Sequence, residues 1–103
     1  MPKTIPHLQS PAEAQQLLGR RLKQLRLQIG FKRATLAARS GVSARSLQRF
    51  EDTGEVSLRN LLLLAHALGR LSEFVELLEL PAAKSLAELE ARDSKPPPRR
   101  GRI

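Results

Sequence analysis

Leu18, Leu22, Leu25 and Ile29 recur at spacings of four, three and four, which lays one apolar stripe along a helix. Just upstream, Ser10-Pro11-Ala12-Glu13 provides a capping hydroxyl, a proline suited to the first turn and a glutamate that completes a capping box. The pattern predicts a first helix from there to Gly30. A second, short helix is predicted from about Arg33 to Ser40, ending at Gly41, a residue free to take the left-handed conformation. Ser43 caps a third helix, which turns Leu47 and Phe50 inward and ends near Asp52-Thr53-Gly54. Ser57 caps a leucine-rich fourth, Leu58 to Leu68, closed by Gly69. Ser72 opens a fifth, Glu73 to Leu80, stopped by Pro81. No segment alternates convincingly with period two. The expected fold is all-α, with five helices.

The punctuation also divides the chain. Residues 10–80 form one domain, preceded by a flexible N-terminus over 1–9. A short helical extension is expected over 81–94, where Ser85-Leu86-Ala87-Glu88 is a second capping box. Pro96-Pro97-Pro98 with the bases around it predicts a disordered basic tail over 95–103. With Phe31, Phe50 and Phe74 as the three aromatics, the core must come mostly from Leu, Ala, Val and Ile. The chain has no cysteine, which removes disulfides and zinc fingers and fits a reducing cytosol. The N-terminal residues contain no apolar run of signal-peptide type, and the longest apolar stretch, Leu61 to Ala65, is far short of a membrane span. A cytoplasmic protein is expected.

Charge sharpens the picture. The net charge is +8, and it is segregated. Residues 14–50 hold nine Lys or Arg and no Asp or Glu, whereas residues 51–93 hold nine acids against four bases. Four more bases lie in the last ten residues. A field of one sign spread over a helix, a glycine turn and a second helix suits a phosphate backbone, with the second helix short enough for a major groove. In the acidic half, Leu61 to Leu64 is apolar nearly all round, and Phe74, Leu77 and Leu78 share a face of the predicted fifth helix. Surplus apolar surface in so small a chain points to a two-fold homodimer through Phe74, Leu77 and Leu78 of the fifth helix and the end of the fourth, with the two groove-entering helices about 34 Å apart. A monomer with Phe74 in its own core stays open.

The run from Phe31 through Leu36-Ala37, Gly41-Val42-Ser43, Leu47 and Phe50-Glu51 into a leucine-rich helix resembles the Cro/repressor (XRE) family of helix-turn-helix proteins over roughly residues 17–69. The resemblance implies a five-helix fold, a recognition helix from Ser43 to Glu51, and an operator of double-stranded DNA as ligand. It implies base contacts from Ala44, Arg45 and Arg49, with Arg33 reaching the flanking edge of the half-site. Two arginines one turn apart suit guanine O6 and N7, so G·C pairs are expected in each half-site. Lys32, Ser43, Ser46 and Gln48 are the expected phosphate or sugar contacts. The family also pairs an arginine late in the first helix with the glutamate ending the recognition helix; Arg26 and Glu51 fall on those positions. One departure stands out. Lys32 and Arg33 occupy the start of the second helix, where the family usually has a capping Ser or Thr followed by Gln, so the cap is expected to be poor.

Within that family, Arg-Ser-Leu-Gln-Arg-Phe-Glu, the following Thr-Gly and Ser-Leu, Ala-Leu-Gly, the acidic amphipathic stretch and the basic C-terminus are similar to HipB-type antitoxins. That resemblance implies an autoregulatory repressor partnered with a HipA-like serine/threonine kinase toxin, in some systems with a further small subunit. A stand-alone repressor and a protein-only neutralising antitoxin remain open at this point. An enzyme is not expected: His7 and His66 are far apart and no nucleophile, base or metal-ligand set converges. No cofactor or metal is expected. RNA is disfavoured because the basic window lacks stacking aromatics.

Overall fold

The structure is a computed structural model that describes residues 10–81. The expectations for the N-terminus over 1–9, the extension beyond Pro81 and the basic tail fall outside the described residues. Among the described residues the fold is all-α, in five helices: α1 Pro11–Ile29, α2 Arg33–Ser40, α3 Ala44–Thr53, α4 Leu58–Ala67 and α5 Leu71–Val75.

Local signals account for the first four. Ser10 Oγ accepts from the Glu13 amide at 3.1 Å and donates to the Glu13 carboxylate at 3.2 Å, tying the first turn of α1 at both ends of the box. Ser43 and Ser57 cap α3 and α4 by accepting from Ser46 N and Asn60 N at 3.0 and 3.1 Å. Gly41, at φ 81°, turns the chain between α2 and α3 in a conformation that costs a residue with a Cβ about 1 kcal/mol or more. α4 stops one residue earlier than its leucine pattern predicts. Gly69 N bonds His66 O and Arg70 N bonds Ala65 O, a pair of bonds that closes the last turn from outside.

Leu22 from α1, Leu36 from α2, Leu47 and Phe50 from α3 and Leu64 from α4 meet Val42 and Leu68 in one buried cluster. α2, α3 and α4 contribute the fully buried Leu36, Leu47, Phe50 and Leu64, α1 adds Leu22, and Val42, on the turn itself, closes the space beneath it. α1 and α3 cross almost backbone to backbone. A Cβ placed on Gly19 would lie 2.2 Å from the Phe50 carbonyl oxygen, and one on Gly54 would lie 2.5 Å from the Gln15 backbone. These two glycines let α3 lie directly on α1.

α5 differs from expectation. It begins at Leu71 and ends at Val75, so Glu73–Leu80 does not form one helix. Arg70 precedes it without a side-chain cap, and Ser72 lies inside it. After Val75 the chain continues in tight turns, with Leu77 N bonded to Phe74 O and Leu78 at φ 64°. The physical reason is packing: a helix of a few turns is held by what its apolar face meets, and Val75, Leu77, Leu78 and Leu80 meet solvent. Glu73, Glu76 and Glu79, three apart, would also repel one another along a helix. Phe74, Leu77 and Leu78 therefore do not share a helical face. Phe74 is half-buried in a groove of about 470 Å³ that it lines together with Leu18, Leu25 and Leu61, while Leu77 and Leu78 stand exposed beyond the helix end.

Candidate nucleic-acid interface

α2 and α3 are set against α1 by one carboxylate. Glu51, whose side chain is fully buried, accepts from Arg26 Nε at 2.7 Å on one oxygen and from Arg26 Nη2 at 3.1 Å on the other. Arg26 Nη1 also donates to the Phe31 carbonyl at 2.9 Å, so one guanidinium joins the end of α1, the linker into α2 and the last turns of α3. A buried pair of this kind needs its remaining donors and acceptors satisfied, and no buried side-chain nitrogen or oxygen among the described residues lacks a partner.

Arg33 is drawn into the same junction. Its Nε donates to Glu51 Oε1 at 3.0 Å and its side chain is 34% exposed. The residue expected to reach the half-site edge from α2 is therefore turned back along the protein. The cause is the unspent capacity of Glu51, whose buried oxygens accept three charged donors rather than two. Lys32 stands at the N-cap of α2 with no side-chain cap bond, so the first amides of that helix have no side-chain acceptor. Behind them the Arg39 guanidinium lies 4.8 Å over the Phe31 ring, bracing the linker.

On α3, Ala44, Arg45, Gln48 and Arg49 are exposed, as are the flanking Ser43 and Lys32. Ser46 is half-buried, and its Oγ accepts from the Ser43 hydroxyl at 2.9 Å, so both serines serve the cap as well as the surface. Arg45 and Arg49 lie one turn apart on the same side. Arg45 forms no ion pair with any described residue, whereas Arg49 Nη2 is paired with Glu55. Arg20, Arg21 and Lys23 are exposed on α1, and Arg21 lines the groove that holds Phe74. The structure thus brings Lys32, Ser43, Ala44, Arg45, Gln48 and Arg49 to the exposed surface around the turn, and leaves Phe74, Leu77 and Leu78 far along the chain beside α4 and beyond.

Two features, one on this surface and one beneath it, are missed by the sequence reading above. Glu55 is six residues from Arg49, a spacing with no helical meaning; the pair arises because the chain reverses at Gly54, φ 82°. Gly19 looks like a weak point in α1, and its signal was its position on the apolar side, three residues before Leu22.

Among the described residues no helix is long and apolar enough to cross a membrane. Comparison with curated proteins and with solved structures finds no significant match. A family model described as Helix-turn-helix matches residues 22–74, just over half of the chain and the whole span from mid-α1 to α5. With the capped third helix, the glycine turn and the basic surface in place, the chain belongs to the helix-turn-helix family of Cro/repressor (XRE) type and is a DNA-binding transcription regulator of that type.

Proposed function

We propose that this regulator is a sequence-specific repressor that binds a palindromic operator as a homodimer, and that it is the autoregulatory antitoxin of a HipA-type kinase module. The observation that carries the DNA reading is the exposed face of α3, with Ala44, Arg45 and Arg49 in a window of nine bases and no acids. In this reading Arg45 and Arg49 meet guanine edges and Ala44 admits close approach to a thymine methyl. Lys32, Ser43, Ser46 and Gln48 hold phosphates or sugars, which position without specifying. Arg33, tethered to Glu51, adds its charge to the phosphates beside α2 more readily than a base contact.

Support for a dimer is the apolar side chains that the chain leaves uncovered in this half: Leu58 on α4, Val75 on α5 and Leu77, Leu78 and Leu80 after it are exposed. Support for the antitoxin role is the sequence resemblance to HipB-type proteins and the separation of a basic DNA face from an acidic, apolar half with a different client. A kinase-type toxin, with or without a further small subunit, would then occupy surface remote from α3.

The test has two arms. The full chain is presented with a pool of random-sequence duplexes; enrichment of a two-fold symmetric site, lost for Arg45→Ala, supports the operator reading, and no enrichment overturns it. The tagged protein is also expressed with its native flanking genes and recovered at high salt. A kinase-sized partner in fixed ratio supports the antitoxin reading, and a homodimer alone leaves a stand-alone repressor.

A further inference from the structure

We propose that Glu55 is a specificity-determining residue of the DNA interface, one whose carboxylate holds the Arg49 guanidinium in the orientation that reads a base pair. This rests on the reading above that Arg49 meets base edges.

An arginine on the surface of a helix has four side-chain torsions and little to restrain them, so a freely turning guanidinium meets phosphates and bases alike. Arg49 is restrained. Its Nη2 is paired with Glu55, and the contact engages that nitrogen alone, leaving the other guanidinium donors for paired acceptors on a base. The carboxylate itself stands on a fixed support. Thr53 Oγ1 accepts from the Glu55 amide at 3.1 Å and donates to the Arg49 carbonyl at 2.7 Å, so the loop is bonded to the peptide of the residue it restrains. Gly54, between them, is packed so tightly on the Gln15 backbone that the turn has no room to shift toward α1.

Stability does not explain the pair. Its side chains are 66% and 58% exposed, and an ion pair in that setting contributes little to folding. Affinity does not explain it either. An exposed carboxylate beside the recognition helix repels phosphate and cancels one charge of a surface otherwise free of acids from residue 14 to residue 50. A group that adds little to folding and weakens general attraction to DNA, yet grips a base-reading arginine from a rigid turn, fits a role in discrimination. Arg45, one turn earlier and with no described partner, would be the less selective of the two.

The test uses the full chain and a pool of random-sequence duplexes, with wild type, Glu55→Gln, Glu55→Ala, Arg49→Ala and the double variant Arg49→Ala/Glu55→Gln, each shown by circular dichroism to melt as wild type does. Arg49→Ala is expected to erase the base preference at one position of each half-site. Both Glu55 variants are expected to weaken preference at that same position about tenfold, while affinity for an unrelated duplex rises about threefold as one repulsion is removed. In the Arg49→Ala background, Glu55→Gln is expected to change no base preference. The proposal is overturned if the Glu55 variants keep the wild-type preference, if Arg49→Ala leaves every position unchanged, or if Glu55→Gln alters preference without Arg49. A wild-type chain that enriches nothing overturns the operator reading itself, and it does so before any substitution is compared.

Discussion

Truncating Glu51 to alanine should be the most damaging change at the junction of α1, α2 and α3, and its partners should rank in a fixed order behind it. Glu51→Ala strands Arg26, which is 5% exposed and keeps only the Phe31 carbonyl as acceptor. Breaking a buried pair in this way leaves an uncompensated charge and costs about 3–5 kcal/mol. Arg26→Ala is less severe, because Glu51 retains Arg33 at 3.0 Å and water can enter the space left by the guanidinium; about 2–3 kcal/mol is expected. Arg33→Ala leaves Glu51 with both of its bonds to Arg26 and removes a side chain already one-third in solvent, so at most about 1 kcal/mol is at stake. A domain of this size has a total stability on the order of 5 kcal/mol, so Glu51→Ala should leave a large unfolded fraction in water and Arg33→Ala almost none.

Urea unfolding of the full chain, followed by circular dichroism at fixed protein concentration, measures all three. Glu51→Gln is a useful fourth variant, since it keeps volume and one acceptor and should fall between the two alanine extremes. The reasoning fails if Arg33→Ala is as costly as Arg26→Ala, or if Glu51→Ala unfolds within 1 kcal/mol of wild type, roughly the value of an exposed pair. Either result would mean that the three charges are hydrated and that α3 is held on α1 by apolar packing alone.

Gly19→Ala provides a test by sign. Helix propensity alone would make it stabilising by about 1 kcal/mol, but a Cβ 2.2 Å from the Phe50 carbonyl must push α3 off α1, so a net loss of about 1–3 kcal/mol is expected in the same urea assay. Ser43→Ala removes the cap that accepts from Ser46 N and should lower stability by about 1 kcal/mol, read as a lower thermal midpoint. Arg45→Ala should weaken binding to an enriched duplex by about 1–3 kcal/mol with little change in salt slope. Lys32→Ala, by contrast, should weaken binding to all duplexes alike and reduce the slope of log K against log salt by about one.

Most of the helical order was legible because it is written in local chemistry. Three serine caps at Ser10, Ser43 and Ser57 and the glycine stop at Gly41 act over a few residues, and the apolar spacing of Leu36, Leu47 and Leu64 chooses the buried face. The poor cap at Lys32 was legible for the same reason. α5 was not, because its length depends on what lies opposite Val75, Leu77 and Leu80, and a pattern along the chain does not reveal whether a partner is there. The exposed face of α3 was readable from the cap and the turn. Arg33 turning to Glu51 was not, since it reflects how many donors a buried carboxylate can accept once three helices have met. The Arg49–Glu55 pair was hidden likewise by a reversal at Gly54.

The two glutamates show how a strongly basic helix-turn-helix limits the cost of its own charge. Nine cations without an acid would repel one another in the folded state and bind any phosphate equally well. Glu51 meets the first difficulty from inside. By accepting from Arg26 and Arg33 it gathers two of those cations at the point where three helices join and turns their charge into a geometric constraint on α3. Glu55 sits at the other end of the same problem, outside the core, where it pairs with one exposed cation of α3 and restricts where that cation can point. Neither carboxylate lies within the basic window itself; both lie just beyond it, at the end of α3 and past the turn. That placement leaves the N-terminal half of α3 free of acids, with Arg45 exposed on it. The same two residues supply rigidity from the C-terminal side, so attraction and orientation are carried by opposite ends of one short helix.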